Sequence, residues 1–388
     1  MNNNFNYNGG YQYENPFTNE PQYDFYDELV VKDAKKATSR SMLSLVLYVA
    51  LGTILTYAII YGVFFLFAKF LGNEELFARI NNSAYYQMLV STLPMYAVGI
   101  PTVIVTLKSV PKKQLPLEKP KMRFVEWLMM IPIAELAMIV GGYIGSFISE
   151  VYSFVIGVEN KDTIADLVDQ APPLLLFVLT VILAPVFEEL IFRKLLLDRL
   201  SVYGNKFGII VTAVAFGLIH GNLDQFFYAT LGGLVLGYVA VKSGNWLYSV
   251  GIHMVMNFIG GMIPALLGDS IAKYTELSEM VLKDPMAYDS IPAEYLPAFL
   301  AVSLYTSVLS ALIVGGVVLL VLGIKKRWFT VDEKLTIRIP RRRVAGVIFK
   351  NVGTILFLVM SGIFIMLDLY MPLIQEYVNQ ITSGGTGV

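Results

Sequence analysis

Nine apolar runs limit what this chain can fold into. They lie at roughly 43–68, 85–107, 124–146, 173–193, 207–221, 225–242, 246–267, 297–323 and 347–370. All but the fifth approach or exceed the ~20 residues that a helix needs to cross a hydrocarbon core of about 30 Å. No water is available there to satisfy a backbone N–H or C=O, so each run must close its own hydrogen bonds as a helix. The expected fold is therefore an all-α polytopic membrane protein of about nine transmembrane helices, and the 56% apolar composition agrees with it.

Orientation follows from where the basic residues fall. With alternate loops on alternate sides, five of the 29 Lys and Arg (Lys69, Arg79, Lys161, Lys273 and Lys283) lie on one side. The other 24 lie with the N-terminal tail, above all in Lys108 to Arg123 and Lys325 to Arg343. The positive-inside rule then predicts a multi-pass cell-membrane protein with its N-terminus cytoplasmic and its C-terminus outside. The basic 325–343 loop also suits anionic lipid headgroups, although topology already accounts for its charge.

On this reading the chain divides into a polar cytoplasmic tail over 1–40 and N-terminal transmembrane helices over 41–160. A core over 173–267, an outer loop over 268–296 and C-terminal transmembrane helices over 297–388 follow. Residues 1–30 hold no Lys or Arg and no apolar core, so they are not a signal peptide. Their Asn-, Tyr- and Glu-rich composition predicts disorder, with a docking segment built on Tyr7, Tyr11, Tyr13, Tyr23 and Tyr26 as the alternative. The outer segments 157–172 and 268–296 read as polar loops, with room for an amphipathic helix on the membrane surface. The chain has no cysteine, which excludes a thiol nucleophile, a disulfide framework and a thiolate metal site.

The chemistry is concentrated in the fourth run, which ends Ala184-Pro185-Val186-Phe187-Glu188-Glu189-Leu190-Ile191-Phe192-Arg193. Ionisable groups inside a membrane helix cost roughly 2.5–3.5 kcal/mol each on insertion scales, and they mark reaction centres or pathways. Glu189 and Arg193 share a helix face at i,i+4. Glu188 points about 100° away and needs a partner from another helix. The two histidines of the chain are His220, in Phe216-Gly217-Leu218-Ile219-His220, and His253, which shares a face with Asn257. A turn at Ser201 to Lys206 brings Glu188 and His220 to one level. His253 joins them only if the helix 4/helix 5 hairpin projects beyond the bilayer, so the site is expected to open toward the cytoplasmic half. Gly221-Asn222-Leu223-Asp224-Gln225 would then have to line a wet cavity within the membrane. Glu135, in the middle of the third run, is either an auxiliary acid or a buried packing residue and stays outside the site.

E-E-x-x-x-R, F-x-x-x-H and H-x-x-x-N occur in this order over roughly residues 173–267. This resembles the CAAX-protease and bacteriocin-processing (CPBP, or Abi) family of intramembrane glutamic endopeptidases, with no departure at the motif positions. The resemblance implies a catalytic core of helices 4–7 that hydrolyses a peptide bond. In it, Glu188 and His220 activate a water while His253 and Asn257 stabilise the oxyanion. Glu189, Arg193 and Phe216 support them: the first two as an ion pair, Phe216 by fixing His220. A peptide, prenylated or not, or a membrane protein would be the substrate, within the lipid bilayer and with no part for nucleic acid.

The resemblance also implies that no cofactor is needed. A zinc-dependent version remains open, with Glu188, His220 and His253 as three ligands, although H-E-x-x-H is absent. Outside hydrolysis, the same residues suit a membrane scaffold or immunity protein that binds a membrane partner, or a proton-coupled transporter. Intact acid, base and donor candidates argue against the scaffold, and the lack of paired broken helices argues against the transporter.

Overall fold

The computed structural model describes residues 23–112, 122–157, 171–284, 292–331 and 337–384. The tail over 1–22, most of the expected 157–172 loop, and parts of the two basic loops and of the 268–296 segment lie outside the described residues. Every regular element among the described residues is helical, and eight of these helices are long and apolar enough to cross a membrane. The protein is an all-α polytopic membrane protein.

In chain order α1 (Tyr23–Phe64) widens into π-turns over Phe65–Phe70. Then come a short α2 (Glu74–Asn81), α3 (Ala84–Leu107) and α4 (Phe124–Ile156). The mixed α/π helix α5 (Pro173–Tyr203) precedes α6 (Asn205–Leu218), α7 (Leu223–Ser243) and α8 (Leu247–Leu266). α9 (Gly268–Lys283), α10 (Leu296–Lys325), α11 (Val344–Phe349) and α12 (Val352–Gly384) complete the chain.

Two elements depart from expectation for a physical reason, and a third takes the alternative form expected of it. The tail was expected to run to residue 40, but α1 already begins at Tyr23. Its early turns bury Val30, Ala34, Ala37, Thr38, Ser41 and Leu45, a stripe at helical spacing made largely of small residues, so it forms no apolar run. The outer segment 268–296, read as a loop with room for an amphipathic helix, is helical over Gly268–Lys283, and Tyr274 stacks on Phe299 of α10 with ring centroids 6.2 Å apart. The fifth run forms α6, a helix of 14 residues. At 1.5 Å per residue it reaches about 21 Å, short of a full crossing. It ends inside the protein, where Gly221 turns the chain at φ +73° and the Asn222 side chain caps α7 by accepting from Gln225 N at 2.8 Å. The non-helical backbone of this turn is covered by protein: a Cβ on Gly221 would come within 3.0 Å of Phe364 on α12.

The helices meet through small residues. α4 lies on α7 so closely that a Cβ on Gly145 would come within 2.8 Å of the Asp224 carbonyl. The largest apolar cluster joins Leu45 of α1, Leu107 of α3, Phe192 and Leu196 of α5, Phe216 of α6 and Phe357 of α12. α5 is thereby enclosed by α1 and α3 on one side and by α6, α7 and α8 on the other. Polar groups on α5 therefore have to find partners within the protein.

Candidate active site

The two glutamates sit in a short α-helical stretch, Ala184–Glu189, flanked by π-helical turns over Phe177–Leu183 and Leu190–Leu197. Such wide turns recur at functional sites because they free backbone groups and re-aim side chains. The predicted i,i+4 pair forms: Arg193 Nε donates to Glu189 Oε2 at 3.1 Å, and both side chains are fully buried. The guanidinium also lies over the Phe216 ring, 5.3 Å from its centroid. Among the described residues its Nη1 and Nη2 have no hydrogen-bond partner, so Glu189 is the acceptor that keeps this charge tolerable.

His253, only 5% exposed, links the two carboxylates. Nδ1 donates to Glu189 Oε1 at 3.2 Å, and Nε2 lies 3.6 Å from Glu188 Oε2. An ionised carboxylate has no proton to give, so the hydrogen on this bond belongs to Nδ1. In the neutral imidazole Nε2 is then a free acceptor facing Glu188. Ser249, one turn before His253 and wholly buried, also interacts with Glu189. Glu189 is thus saturated by neighbours. Glu188 keeps 23% of its side chain accessible, and among the described residues its ion-pair contact is His253.

The partner that Glu188 needed from another helix is thus His253. His220, expected from the motif order, enters differently. It lies in the turn after α6, where Nδ1 donates to the Phe216 carbonyl at 2.7 Å, and its ring stands edge-on to Phe216 at 5.0 Å. Phe216 also stands edge-on to His253 at 5.8 Å and to Phe192 at 5.0 Å, so one ring separates and orients both imidazoles. Asn257 lies one turn beyond His253, and its Nδ2 donates to the Thr180 carbonyl at 2.8 Å. Glu135 is 1% exposed, with Oε1 unpartnered among the described residues, and lies apart from this cluster near Tyr305.

Two residues of the site carry no motif signal. Tyr96 of α3 packs its ring 4.5 Å from Phe187, and Tyr48 of α1 fills the space left by the missing side chain of Gly99. The charge of Glu188 acts on both tyrosines. α1 and α3 therefore form a wall of the site, although they precede every motif residue by more than eighty positions.

Residues 170–259 match the family model described as "Type II CAAX prenyl endopeptidase Rce1-like". Over this stretch the chain is similar to that family. A Bacillus subtilis (strain 168) protein described as "Putative membrane peptidase YdiL" is 30% identical to it over 157 residues, which are 40% of this chain and 63% of that protein. A Lactococcus lactis subsp. lactis (strain IL1403) protein described as "UPF0177 protein YxdF" is 26% identical over 143 residues, 36% of this chain and 77% of that one. The similarity thus spans less than two thirds of the first relative. No solved structure matches the chain. Every motif residue lies within the matched residues 170–259, whereas the wall formed by α1 and α3 lies outside them.

Proposed function

We propose that this chain is an intramembrane endopeptidase of the CAAX/CPBP type, hydrolysing a peptide bond of a membrane-associated peptide or protein with water activated by Glu188. The observation that carries this reading is the division of labour around His253. One carboxylate is buried and saturated, and it sets the tautomer of the imidazole. The other is partly accessible and faces the free ring nitrogen. Glu188 is then the group placed to take a proton from water while the oxygen attacks the scissile carbonyl. His253 Nε2, 3.6 Å from Glu188 Oε2, helps hold that water, a part that the family resemblance assigns to His220.

The tetrahedral intermediate needs hydrogen-bond donors where its charge develops. Asn257 has a second amide hydrogen beyond the one given to Thr180. His220 donates through Nε2 when protonated, since Nδ1 is held by the Phe216 carbonyl. A peptide substrate is supported by the matched family's description, "CAAX prenyl endopeptidase", and by the Bacillus relative's name.

We take the water to be activated without a metal; among the described residues no three His, Asp or Glu side chains form a group that could hold an ion. We place the protein in the cell membrane with its N-terminus cytoplasmic and C-terminus outside, on the basic asymmetry of its loops. Comparing membrane peptide profiles from cells carrying the intact protein and cells carrying Glu188→Gln tests the activity. Products present only with the intact protein support it; identical profiles refute it.

A further inference from the structure

The amide of Asn257 is held by a backbone carbonyl, and a backbone carbonyl within a helix is ordinarily already bonded. In the π-turns Phe177–Leu183 the bonds run from each N–H to the oxygen five residues earlier, ending with Ala184 N–H on the Leu179 carbonyl. The next bond in that register would run from residue 185 to the Thr180 carbonyl. Residue 185 is a proline with no N–H, so this carbonyl is left over, and Asn257 Nδ2 takes it at 2.8 Å.

The same arrangement recurs in α8. The π-turns Phe258–Met262 end with Ile263 N–H on the Phe258 carbonyl, residue 264 is a proline, and the freed Ile259 carbonyl accepts from Tyr305 Oη at 3.1 Å. In α3 the α-helical equivalent holds: Pro94 frees the Val90 carbonyl four residues earlier, which accepts from Thr56 Oγ1 at 3.2 Å. In each case a helix proline exposes one carbonyl to a side chain of a neighbouring helix. Burial of an unbonded carbonyl costs about 1–3 kcal/mol, so the neighbour's donor is held firmly.

Resting on the peptidase reading above, we propose that Pro185 is a positioning residue for the reaction. By withholding its N–H it reserves the Thr180 carbonyl for Asn257, locks the plane of that amide, and so aims the second amide hydrogen at the reacting carbonyl. Pro185 is buried three residues before Glu188, so one short segment carries both the base and the device that sets the donor opposite it. The Thr180 side chain is not part of the device, because its Oγ1 donates back to the Leu176 carbonyl.

The test uses the full-length protein, labelled with ¹⁵N-asparagine in lipid nanodiscs, with the Asn257 side-chain resonances identified by their loss in Asn257→Ala. One Nδ2 proton should be shifted downfield and exchange slowly in the parent protein. Alanine is the better helix former and restores the N–H, so Pro185→Ala should fold while its new N–H competes for Thr180. The Asn257 signal should then move to the position of an unbonded amide and exchange faster. Thr180→Ala, which keeps the carbonyl, should leave the signal in place. With a dye-labelled library of apolar peptides as probe, Pro185→Ala should lower kcat roughly 10- to 100-fold with KM little changed, approaching the loss of one oxyanion donor.

An Asn257 signal unmoved by Pro185→Ala overturns the proposal, and so does a moved signal with kcat unchanged. If the parent protein cleaves nothing while the signal still moves, the hydrogen-bond device stands and the peptidase reading falls.

Discussion

Glu189→Gln strips a wholly buried arginine of its counter-ion, and the structure sets the cost. Both side chains are fully buried, and Nη1 and Nη2 of Arg193 find no acceptor among the described residues. Removing one partner of such a pair leaves an uncompensated charge, at about 3–5 kcal/mol. That is a large part of the roughly 5–15 kcal/mol that holds a typical protein folded. The glutamine oxygen can still accept from His253, so the loss should fall on Arg193 and not on the imidazole. Replacing both partners by apolar residues removes the charge problem altogether, and Glu189→Leu with Arg193→Met should recover most of the stability while remaining inactive. Thermal and denaturant unfolding of the detergent-solubilised single and double variants measures the coupling directly. Single variants within about 1 kcal/mol of the parent, or a double variant that loses the sum of both, would refute the buried-pair reasoning.

Asn257→Ala should still bind a cleavable peptide but turn it over about 10²–10³-fold more slowly, and steady-state kinetics separate kcat from KM. Activity should survive exhaustive chelation; metal that leaves and returns in step with activity would restore the zinc mechanism. Cysteines introduced singly into this cysteine-free chain report orientation: Lys283→Cys should react with an impermeant reagent in intact cells and Arg342→Cys only after lysis, and the reverse pattern inverts the topology.

Run length and i,i+4 spacing made the long helices α3, α4, α7, α8 and α10 and the Glu189–Arg193 pair legible, because both depend on one helix at a time. The partner of Glu188 was not legible. Whether His220 or His253 reaches it depends on the relative height of two hairpins, and α6 ends early enough to leave His220 in a turn behind Phe216. The start of α1 was hidden because Ala34, Ala37 and Ser41 bury a face without making an apolar run, while Lys32, Asp33, Lys35 and Lys36 interrupt it. Tyr48 and Tyr96 could not be foreseen, since only the packing of α1 on α3 beside α5 brings them to Glu188. The Thr180 carbonyl left no trace in composition, though the proline five positions later was in view.

The most direct test of the account is hydrolysis by the purified full-length protein in liposomes, with a library of apolar peptides in H₂¹⁸O and mass spectrometry of the products. The account predicts new C-termini carrying ¹⁸O with the parent protein, and none with a folded Glu188→Gln protein of unchanged unfolding temperature. Cleavage by Glu188→Gln at the parent rate would contradict it.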